Sequence, residues 1–559
     1  MKELKKLKEV KSLGKDLLSS RAHVNNLPTL LSCLDPHKPQ SFILESLLSL
    51  HSFFASIAPN IFPASKCDDS AQLIYNTWLR SKFEIFLSSL LRLVSSQAED
   101  TIRDVVLDSI MEFVKVGNES KFNSAFFHKL ILNMVFSEFS TDILVESLAS
   151  RYFDYIDVRY FTFISLAKIA RNIEDGAPDL KDRNTDVRDG VFSQERKEIF
   201  INRMHSILSK IPAVENPQEV ASYKLWSSGF SVCDKDKTMP EKPEAVAEAK
   251  YAKRFKLKFT KAWISFLRLP LPIDVYKEVL VNLHQTVIPY LSNPKILCDF
   301  LSKSYDVGGV VSVMALSSLF ILITEHNLEY PEFYEKLYSL LSPSIFLAKH
   351  RAKFFELLDS CLKSPLLPAY LAAAFAKKLS RLALSVPPSG ALVIIALIHN
   401  LIRRHPSINC LIHLSDSVEC VEKCSQLEAD GVVQSEENKG GTDHFDEHEK
   451  NPLKSNAMRS SLWEIDTLRR HYCPHVSRLV LSLENDLTVR SKTSEMDITD
   501  FSSASYATIF GNEMRRRVKQ VPLAFYKTTP LSLFGDTDFS GWTFGTTDGQ
   551  TSAKRHRLN

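Results

Sequence analysis

Glycine is scarce in this chain, and so are the alternating Val, Thr and Tyr patterns of β-strands. Only 16 of the 559 residues are glycine. No phosphate loop of the GxxxxGK[ST] type occurs, nor a GxGxxG that follows a strand. These absences argue against an all-β fold and against a repeated βαβ fold. Leucine is abundant instead, and the sequence predicts an all-α protein.

Disulfide spacing and a large net charge are also missing. The nine cysteines are scattered, which indicates reduced thiols inside a cell rather than a disulfide scaffold. The formal net charge is only +3, so any nucleic-acid contact must come from local basic patches. The Cys and His residues near Cys420, Cys424 and Cys473 have neither zinc-site spacing nor a group that orients a base. The sequence therefore predicts no enzyme, no metal and no cofactor.

A stretch of 17 residues, 307–323, carries no charge. Its length is at the lower end of the transmembrane range, and no aromatic belt or loop-charge asymmetry supports insertion. The segments that follow, 331–341, 342–362, 367–384 and 389–406, all have helical periodicity. The stretch is therefore predicted to be a helix in a protein core and not in a membrane.

The region before residue 170 contains consecutive amphipathic segments joined by short loops. They lie at 39–57, 70–96, 98–117, 122–136, 141–153 and 159–173. No strict repeat is visible in the letters. This succession of helices predicts an irregular HEAT-like helical repeat, an α-solenoid, rather than a closed bundle.

Composition divides the chain further. The predicted parts are a basic amphipathic N-terminal helix (1–25), an N-terminal helical repeat region (26–210), a polar flexible insertion (211–250), a central helical repeat region (251–414), an acidic disordered insert (415–456), a C-terminal helical segment (457–525) and an irregular basic tail (526–559). The N-terminal helix is either simply solvated or a docking helix for a membrane surface or a partner. The KRHRLN end and the upstream Arg515, Arg516 and Arg517 are compatible with nuclear import.

Basic and aromatic residues alternate within 250–272. Lys253, Arg254, Lys256 and Lys258 are interleaved with aromatic residues spaced three or four apart. Two interpretations stay open. The aromatic residues form the core stripe of an amphipathic helix with solvated lysines, or the basic residues contact RNA phosphates.

Two further basic groups occur in the central region. One lies at a predicted helix start, where the helix dipole disfavours cations, and this favours contact with a phosphate or an acidic partner. The other ends an apolar helix, where the dipole favours cations, so a structural role and a contact role both stay open. The first group is Lys349, His350, Arg351 and Lys353, and the second is Arg403 and Arg404.

Several long sequence blocks resemble a known family. They are SYDVGGVVS (304–312), HNLEYPEFYEKLYSLL (326–341), AKHRAKFFELLD (348–359), LPAYLAAAFAKKLSRLAL (367–384), IRRHP (402–406) and SSLWEIDTLRRHY (460–472). Together they resemble the CCAAT-binding-factor (CBF) domain family, and within it the nucleolar complex protein 4 branch. The resemblance covers residues 290–480.

The resemblance implies a location in the nucleus and nucleolus and a non-enzymatic function. It implies a scaffold or assembly factor for the small (40S) ribosomal subunit, acting in pre-rRNA processing within the small-subunit processome. The implied partner is nucleolar protein 14, and the basic patches are candidates for direct contact with pre-rRNA in the pre-ribosomal particle. The alternative is a HEAT-type nuclear transport or general protein-interaction adaptor, which the basic tail and a pI of 8.2 disfavour.

Eight residues of the matched blocks are interpreted as architectural. Asp306 is expected to cap the following helix, the two glycines to permit close approach of helices, and the four of these residues that lie at positions 330–334 to set a helix start and its packing. The eight residues are Tyr305, Asp306, Gly308, Gly309, Tyr330, Pro331, Phe333 and Tyr334.

Overall fold

The chain folds into helices joined by short turns. A computed structural model describes residues 2–61, 70–115, 122–175, 194–212, 224–227, 244–348, 351–413 and 443–516. Across these ranges the regular structure is α-helix and short 3-10 helix, with no strand. The prediction of an all-α fold is confirmed.

The first ten α-helices form the N-terminal part. They are α1 (Lys2–Ser19), α2 (Leu27–Ser32), α3 (Gln40–Ile61), α4 (Ser70–Val94), α5 (Asp100–Lys115), α6 (Ser124–Val135), α7 (Asp142–Tyr152), α8 (Ile156–Glu174), α9 (Gln194–Lys210) and α10 (Glu244–Leu267). Each helix from α1 to α8 contacts the helix two positions further along the chain. Stacked helical repeats produce this pattern, because each unit buries its apolar face on its neighbours.

The central part contains seven α-helices. They are α11 (Ile273–Thr286), α12 (Cys298–Asp306), α13 (Gly309–His326), α14 (Phe333–Leu340), α15 (Arg351–Cys361), α16 (Ala369–Ala383) and α17 (Pro388–Arg404). Helix α17 is the core element, because 15 of its residues, Pro388 to Ile402, are buried. A helix that is apolar and buried on every side must be surrounded by other elements.

Four shorter helices follow, and they cover the pair α16–α17. They are α18 (Trp463–Thr467), α19 (Pro474–Val480), α20 (Ile498–Ser502) and α21 (Tyr506–Arg515). Helix α17 contacts α19, α20 and α21, and α16 contacts α18. The chain after residue 443 therefore completes the core that α16 and α17 begin.

The aromatic residues of α10 form the predicted core stripe. Phe255, Phe259, Trp263 and Phe266 are all buried. The ring of Phe163 in α8 lies 5.6 Å from that of Phe255 and 5.4 Å from that of Phe259. Burial of such a ring contributes roughly 2–3 kcal/mol. This aromatic seam holds α8 against α10 and fixes the positions of their outward-facing side chains.

Helix α13 contains the charge-free stretch. By length and composition it is the one described helix that could cross a membrane, and 39% of it is buried in the protein. Its buried face, which includes Leu316 and Leu319, belongs to a helix in contact with α11, α12 and α15. Val310 is 61% exposed. The predicted core position therefore holds for one face of the helix and not for the opposite face.

The predicted flexible insertion at 211–250 contains structured residues. Residues 224–227 return to α8, where the buried Asp157 carboxylate accepts hydrogen bonds from the backbone N–H groups of Trp226 and Ser227. The indole N–H of Trp226 donates to the carbonyl of Met111 at 2.9 Å. Residues 244–250 belong to α10. The prediction was wrong for both ranges: Asp157 and Trp226 hold residues 224–227 in place, and residues 244–250 are helical.

The predicted acidic insert at 415–456 also requires correction. Residues 443–456 lie in the described structure, where Phe445 is buried and a 3-10 helix covers Pro452–Ser455. The remaining residues, 415–442, and the predicted tail at 526–559 lie outside the described residues. The insert was predicted too long because its acidic residues make specific contacts with α16 that composition does not show.

Candidate interaction surfaces

Five basic residues line neighbouring faces of α8 and α10. Lys168 and Arg171 are three apart on α8 and exposed, while Arg254, Lys258 and Lys261 follow at intervals of four and three along α10. Residues with these spacings share one face of a helix. The five residues are called the basic ridge below.

The charges of the basic ridge act on one another. Burial lowers the pKa of Lys258, and the positive charges of Lys261, Arg254, Arg171 and Lys168 lower it further. Among the residues that the structure describes, no carboxylate lies within ion-pair distance of Lys168, Lys258 or Lys261. The three lysines of the ridge therefore carry positive charges that no described carboxylate compensates.

The four basic residues of α10 that the sequence analysis singled out lie on two different faces of the helix. Arg254 and Lys258 belong to the ridge. Lys253 and Lys256 lie on a different face, since Thr260, one turn after Lys256, hydrogen-bonds the backbone N–H of Ser292 through its side chain. Lys168 and Arg171 were missed, because their place beside α10 depends on tertiary packing.

The first central basic group is only partly a surface. Lys349 and His350 lie outside the described residues. The Arg351 guanidinium donates to the carbonyls of Phe346 at 2.8 Å and Ala504 at 2.6 Å, so it joins α15 to the loop before α21. Lys353 is exposed, with its Nζ 3.0 Å from Nε2 of His284. The contact prediction is wrong for Arg351, whose charged group is used inside the fold.

The second basic group is occupied by carboxylates of the same chain. Arg404 forms a bidentate pair with Asp359, both distances being 2.9 Å, and a further bond of 2.9 Å to Glu495. Arg403 donates to the carbonyl of Thr493 at 3.0 Å. Bidentate arginine pairs are among the strong charge-assisted hydrogen bonds. Of the two interpretations, the structure supports the structural one.

Asp306 does not cap α13. It is the last residue of α12, and its carboxylate accepts hydrogen bonds from the hydroxyl of Tyr330 at 2.9 Å and from Lys336. The bond from Lys336 is the main reason why the pKa of Asp306 lies below its usual value. The expected capping role was wrong, because the helix begins three residues later, and Asp306 instead holds the turn before α14.

The two glycines are required for their backbone conformation. Gly308 has a φ of 84° and Gly309 a φ of 62°, which L side chains rarely adopt. A Cβ at either position would meet no atom within 4 Å. The expectation of close helix approach was wrong, and the glycines instead form the sharp turn between α12 and α13.

The aromatic residues of the matched blocks pack around this turn. The rings of Tyr305 and Phe333 stack with centroids 6.0 Å apart, and the hydroxyl of Tyr334 donates to the carbonyl of Cys361 at 3.2 Å. Pro331 is exposed and precedes the first residue of α14, Phe333. These residues position α14 against α12 and α15, which is an architectural arrangement.

A buried ion pair was missed in the sequence. Lys377 of α16 and Glu464 of α18 are both fully buried, and their charged atoms lie 2.7 Å apart. Lys377 also contacts the carboxylate of Asp443 at 2.9 Å, and Trp463 donates to that carboxylate at 2.8 Å. Burial alone would raise the pKa of Asp443, but hydrogen bonds from Ser460, Trp463 and Lys377 together lower it.

A second feature that the sequence did not reveal is a cluster of exposed apolar side chains at α21. Tyr506, Phe510 and Met514 are four apart along the helix and are 62%, 67% and 70% exposed, and the neighbouring Tyr472 is 76% exposed. No residue of α21 is fully buried. These four residues are called the aromatic patch below. The i, i+4, i+8 spacing was a readable signal.

The opposite side of α21 faces a cavity of about 450 Å³. Apolar lining comes from Leu392, Leu479 and Phe501. At its rim Arg478 pairs with Glu513 at 2.7 Å. His475, Asp500 and Asn512 also line the cavity, and Nδ1 of His475 lies 3.2 Å from the Glu513 carboxylate. Within the described ranges, no three His, Cys, Asp or Glu side chains converge on a possible metal position.

Comparison with known proteins supplies the family. Residues 312–480 match the CBF/Mak21 family, and residues 2–175 match a model described as nucleolar complex protein 4-like, TPR repeats. The Arabidopsis thaliana protein NUCLEOLAR COMPLEX ASSOCIATED 4 is 54% identical, with 96% of each chain covered. The chain belongs to the nucleolar complex protein 4 family. Family members named nucleolar complex protein 4 homolog include one from Homo sapiens, 30% identical over 92% of this chain and 94% of its own.

Family membership confirms the resemblance seen in the sequence blocks. It also confirms the helical repeat prediction, and it assigns the N-terminal part to TPR repeats, which consist of helix–turn–helix units. The buried pair Lys377–Glu464 lies inside the CBF/Mak21 match. The α10 part of the basic ridge lies between the two matched regions, and α21 follows both. Family membership therefore leaves the function of these two surfaces open.

Proposed function

We propose that this member of the family is a non-enzymatic nucleolar assembly factor for the small ribosomal subunit. It acts in pre-rRNA processing within the small-subunit processome, and it binds nucleolar protein 14 as its protein partner. Relatives with nucleolar names support the location. The observation that carries the proposal is the aromatic patch, which a helical scaffold presents to solvent.

The aromatic patch has the properties of a protein-binding site. Aromatic side chains bury 150–250 Å² each, and exposed apolar patches of this kind mark interaction surfaces. Isolated helices of fewer than about 12 residues are marginally stable in water. Helix α21 has ten residues and a capping box formed by Ser505 and Thr508, yet its apolar stripe is uncovered. A partner that covers this stripe would stabilise both surfaces.

Charge at the edge of the patch indicates the chemistry of the partner. Arg470 precedes Tyr472 by two residues, and Arg515 follows Met514 directly. Both arginines are exposed, and neither forms an ion pair with a described carboxylate. Complementary charge favours specific association. The segment of nucleolar protein 14 that binds here is expected to combine large apolar side chains with acidic ones.

The test compares two doubly substituted chains in binding to purified nucleolar protein 14 after ribonuclease treatment. Phe510→Ala with Met514→Ala should weaken binding more than tenfold, because central apolar contacts cost at least about 1 kcal/mol each when truncated. Leu347→Ala with Leu366→Ala is the matched control, since both leucines are even more exposed. It should bind normally.

Other outcomes would contradict parts of the proposal. Undiminished binding by the Phe510 and Met514 variant would remove the aromatic patch from the partner interface. Failure of the unsubstituted chain to bind would contradict the partner itself. Microscopy of the tagged chain checks the location, and a signal at the nuclear envelope instead of the nucleolus would favour the transport adaptor.

A further inference from the structure

We infer that the basic ridge of α8 and α10 binds the phosphate backbone of RNA without reading its sequence. The inference that RNA binds here is argued from the ridge alone. Only the identification of that RNA as pre-rRNA rests on the proposed function. The aromatic patch lies on a different helix, α21, so the two surfaces can be tested separately.

The ridge is rigidly built. Arg254 and Lys261 are seven residues apart, which corresponds to about 10 Å along the helix axis. The seam of Phe163 with Phe255 and Phe259 fixes α10 beside α8, where Lys168 and Arg171 add two charges. The cationic side chains therefore project from two packed helices rather than from a loop. Such a surface needs little reorganisation when it binds an extended anion.

The ridge stores unfavourable electrostatic energy. Like charges repel, and Lys258 is half-buried, so water screens its charge only in part. Among described residues, no carboxylate is close enough to pair with the three lysines. A polyanion would remove this repulsion and would release its own counterions. The repulsion between the lysines that destabilises the free protein is therefore relieved when a polyanion binds.

The surroundings of the ridge favour RNA phosphate over other anionic ligands. Among the described side chains of α8 and α10, the large apolar one that is well exposed is Leu257, and none is an aromatic ring. Stacking on bases therefore has no platform here, whereas phosphate contacts need none. An acidic protein would be expected to require an apolar core at the interface. The ridge offers charge in regular positions and little else.

The test measures affinity for polyuridine and for an RNA hairpin as a function of salt concentration. The ridge variant is Lys168→Gln, Lys258→Gln and Lys261→Gln. The control variant, Lys253→Gln, Lys256→Gln and Lys303→Gln, removes the same charge from other faces. Loss of three phosphate contacts should reduce the slope of log K against log salt by about two, at roughly 0.7 per contact for single strands. The control should change the slope by less than one.

Folding of the ridge variant serves as the internal check. Because the substitutions remove repulsion, its free energy of unfolding should be unchanged or higher, so weaker RNA binding with retained stability supports the inference. An equal loss in both variants would mean that net charge alone determines binding, and would overturn it. Competition by polyglutamate as effective as competition by polyuridine would assign the ridge to an acidic protein instead. The Phe510 and Met514 variant should keep its RNA affinity, whatever its partner binding.

Discussion

Two adjacent lysines of α16 have different environments. Lys377 is paired with the buried carboxylate of Glu464. Lys378 instead donates from Nζ to the carbonyl of Tyr338 at 2.8 Å and lies 4.0 Å from the centre of its ring. Burial lowers the pKa of Lys378 to about 8, although the charge of Glu447 partly opposes the change. Its ammonium group is therefore less favourable in the folded chain than in the unfolded chain at neutral pH.

This difference predicts a pH dependence of stability. An unfolded lysine has a pKa of about 10.4. Between pH 8 and that value, the unfolded chain keeps the proton of Lys378 while the folded chain has released it. The contribution of Lys378 to the free energy of unfolding should therefore rise with pH in this window, by at most about 3 kcal/mol. Burial raises the pKa of the Cys361 thiol, so that group opposes the rise from about pH 8.5 upward. Urea unfolding measured from pH 7.5 to 9.5 gives this contribution as the difference from a chain that lacks Lys378.

The Lys378→Met variant is the control, because it removes the titrating group and keeps a long side chain. Its free energy of unfolding should rise less with pH, or fall more, than that of the unsubstituted chain, because only the Lys378 contribution is missing. Equal slopes in the two chains would show that another group titrates. The measurement stops at pH 9.5 because the pKa of Tyr338 is raised in the folded chain. Above about pH 10 the unfolded chain would lose that proton first, and the free energy of unfolding would fall.

Single residues also show where sequence patterns stop being informative. The Gly308-Gly309 pair was recognised, but its physical reason, a positive φ at both positions, depends on how α12 and α13 meet. Asp306 was placed at the correct turn with the wrong partner, since Tyr330 and Lys336 are distant in sequence. Side-chain type predicted that these positions matter locally, and only tertiary structure defines what each one contacts.

Between elements, the contact of α16 with α18 contains one fully buried ion pair, and Arg381 and Ser380 of α16 also contact the Glu464 carboxylate. Lys377 and Glu464 are 87 residues apart in sequence and fully buried. Lys377 also donates to the carbonyl of Ser461 at 2.7 Å, just before α18. Removal of one member of a buried pair typically costs about 3–5 kcal/mol when the other charge is left without any partner, and here Arg381 remains 3.2 Å from Glu464.

The single substitution is expected to lower the free energy of unfolding more than the double substitution does. Lys377→Met should lower the free energy of unfolding by up to about 3 kcal/mol, because Glu464 stays buried and keeps only the Arg381 guanidinium and the Ser380 hydroxyl as partners. Lys377→Met combined with Glu464→Leu should recover most of that loss, since apolar replacement of a whole buried pair is often neutral. Denaturant unfolding of the three chains measures both effects. A double variant less stable than the single one would show that the pair itself stabilises the contact.

Helices were more predictable than the segments between them. The buried stripe of α10 and the charge-free α13 follow from spacing alone, because apolar residues must recur every three or four positions on a buried helix face. Residues 224–227 and 443–456 were assigned to insertions, since single anchors such as Trp226 and Asp443 do not change the polar composition around them. Only part of the basic ridge could be predicted. The basic residues of α10 are evident in its sequence, but the packing of α8 beside α10 could not be inferred.

At the scale of the whole molecule, the N-terminal repeats and the C-terminal core carry different kinds of surface. The basic ridge belongs to α8 and α10, while the aromatic patch consists of Tyr472 and three residues of α21, and the two surfaces share no residue. Perturbations at separate sites without common partners usually add. The chain is therefore expected to join an RNA strand to a protein partner through two independent contacts.

If the two surfaces bind independently, variants of each surface should differ in their association with pre-ribosomal particles. In gradient sedimentation, the ridge variant and the Phe510 and Met514 variant should each shift part of the chain to free fractions, because one contact remains in each. The combined variant should be almost entirely free, since two linked contacts bind far more tightly than either alone. A combined variant that sediments like one of its parents would show that a single surface determines particle binding, and the other surface would then serve a step outside the particle.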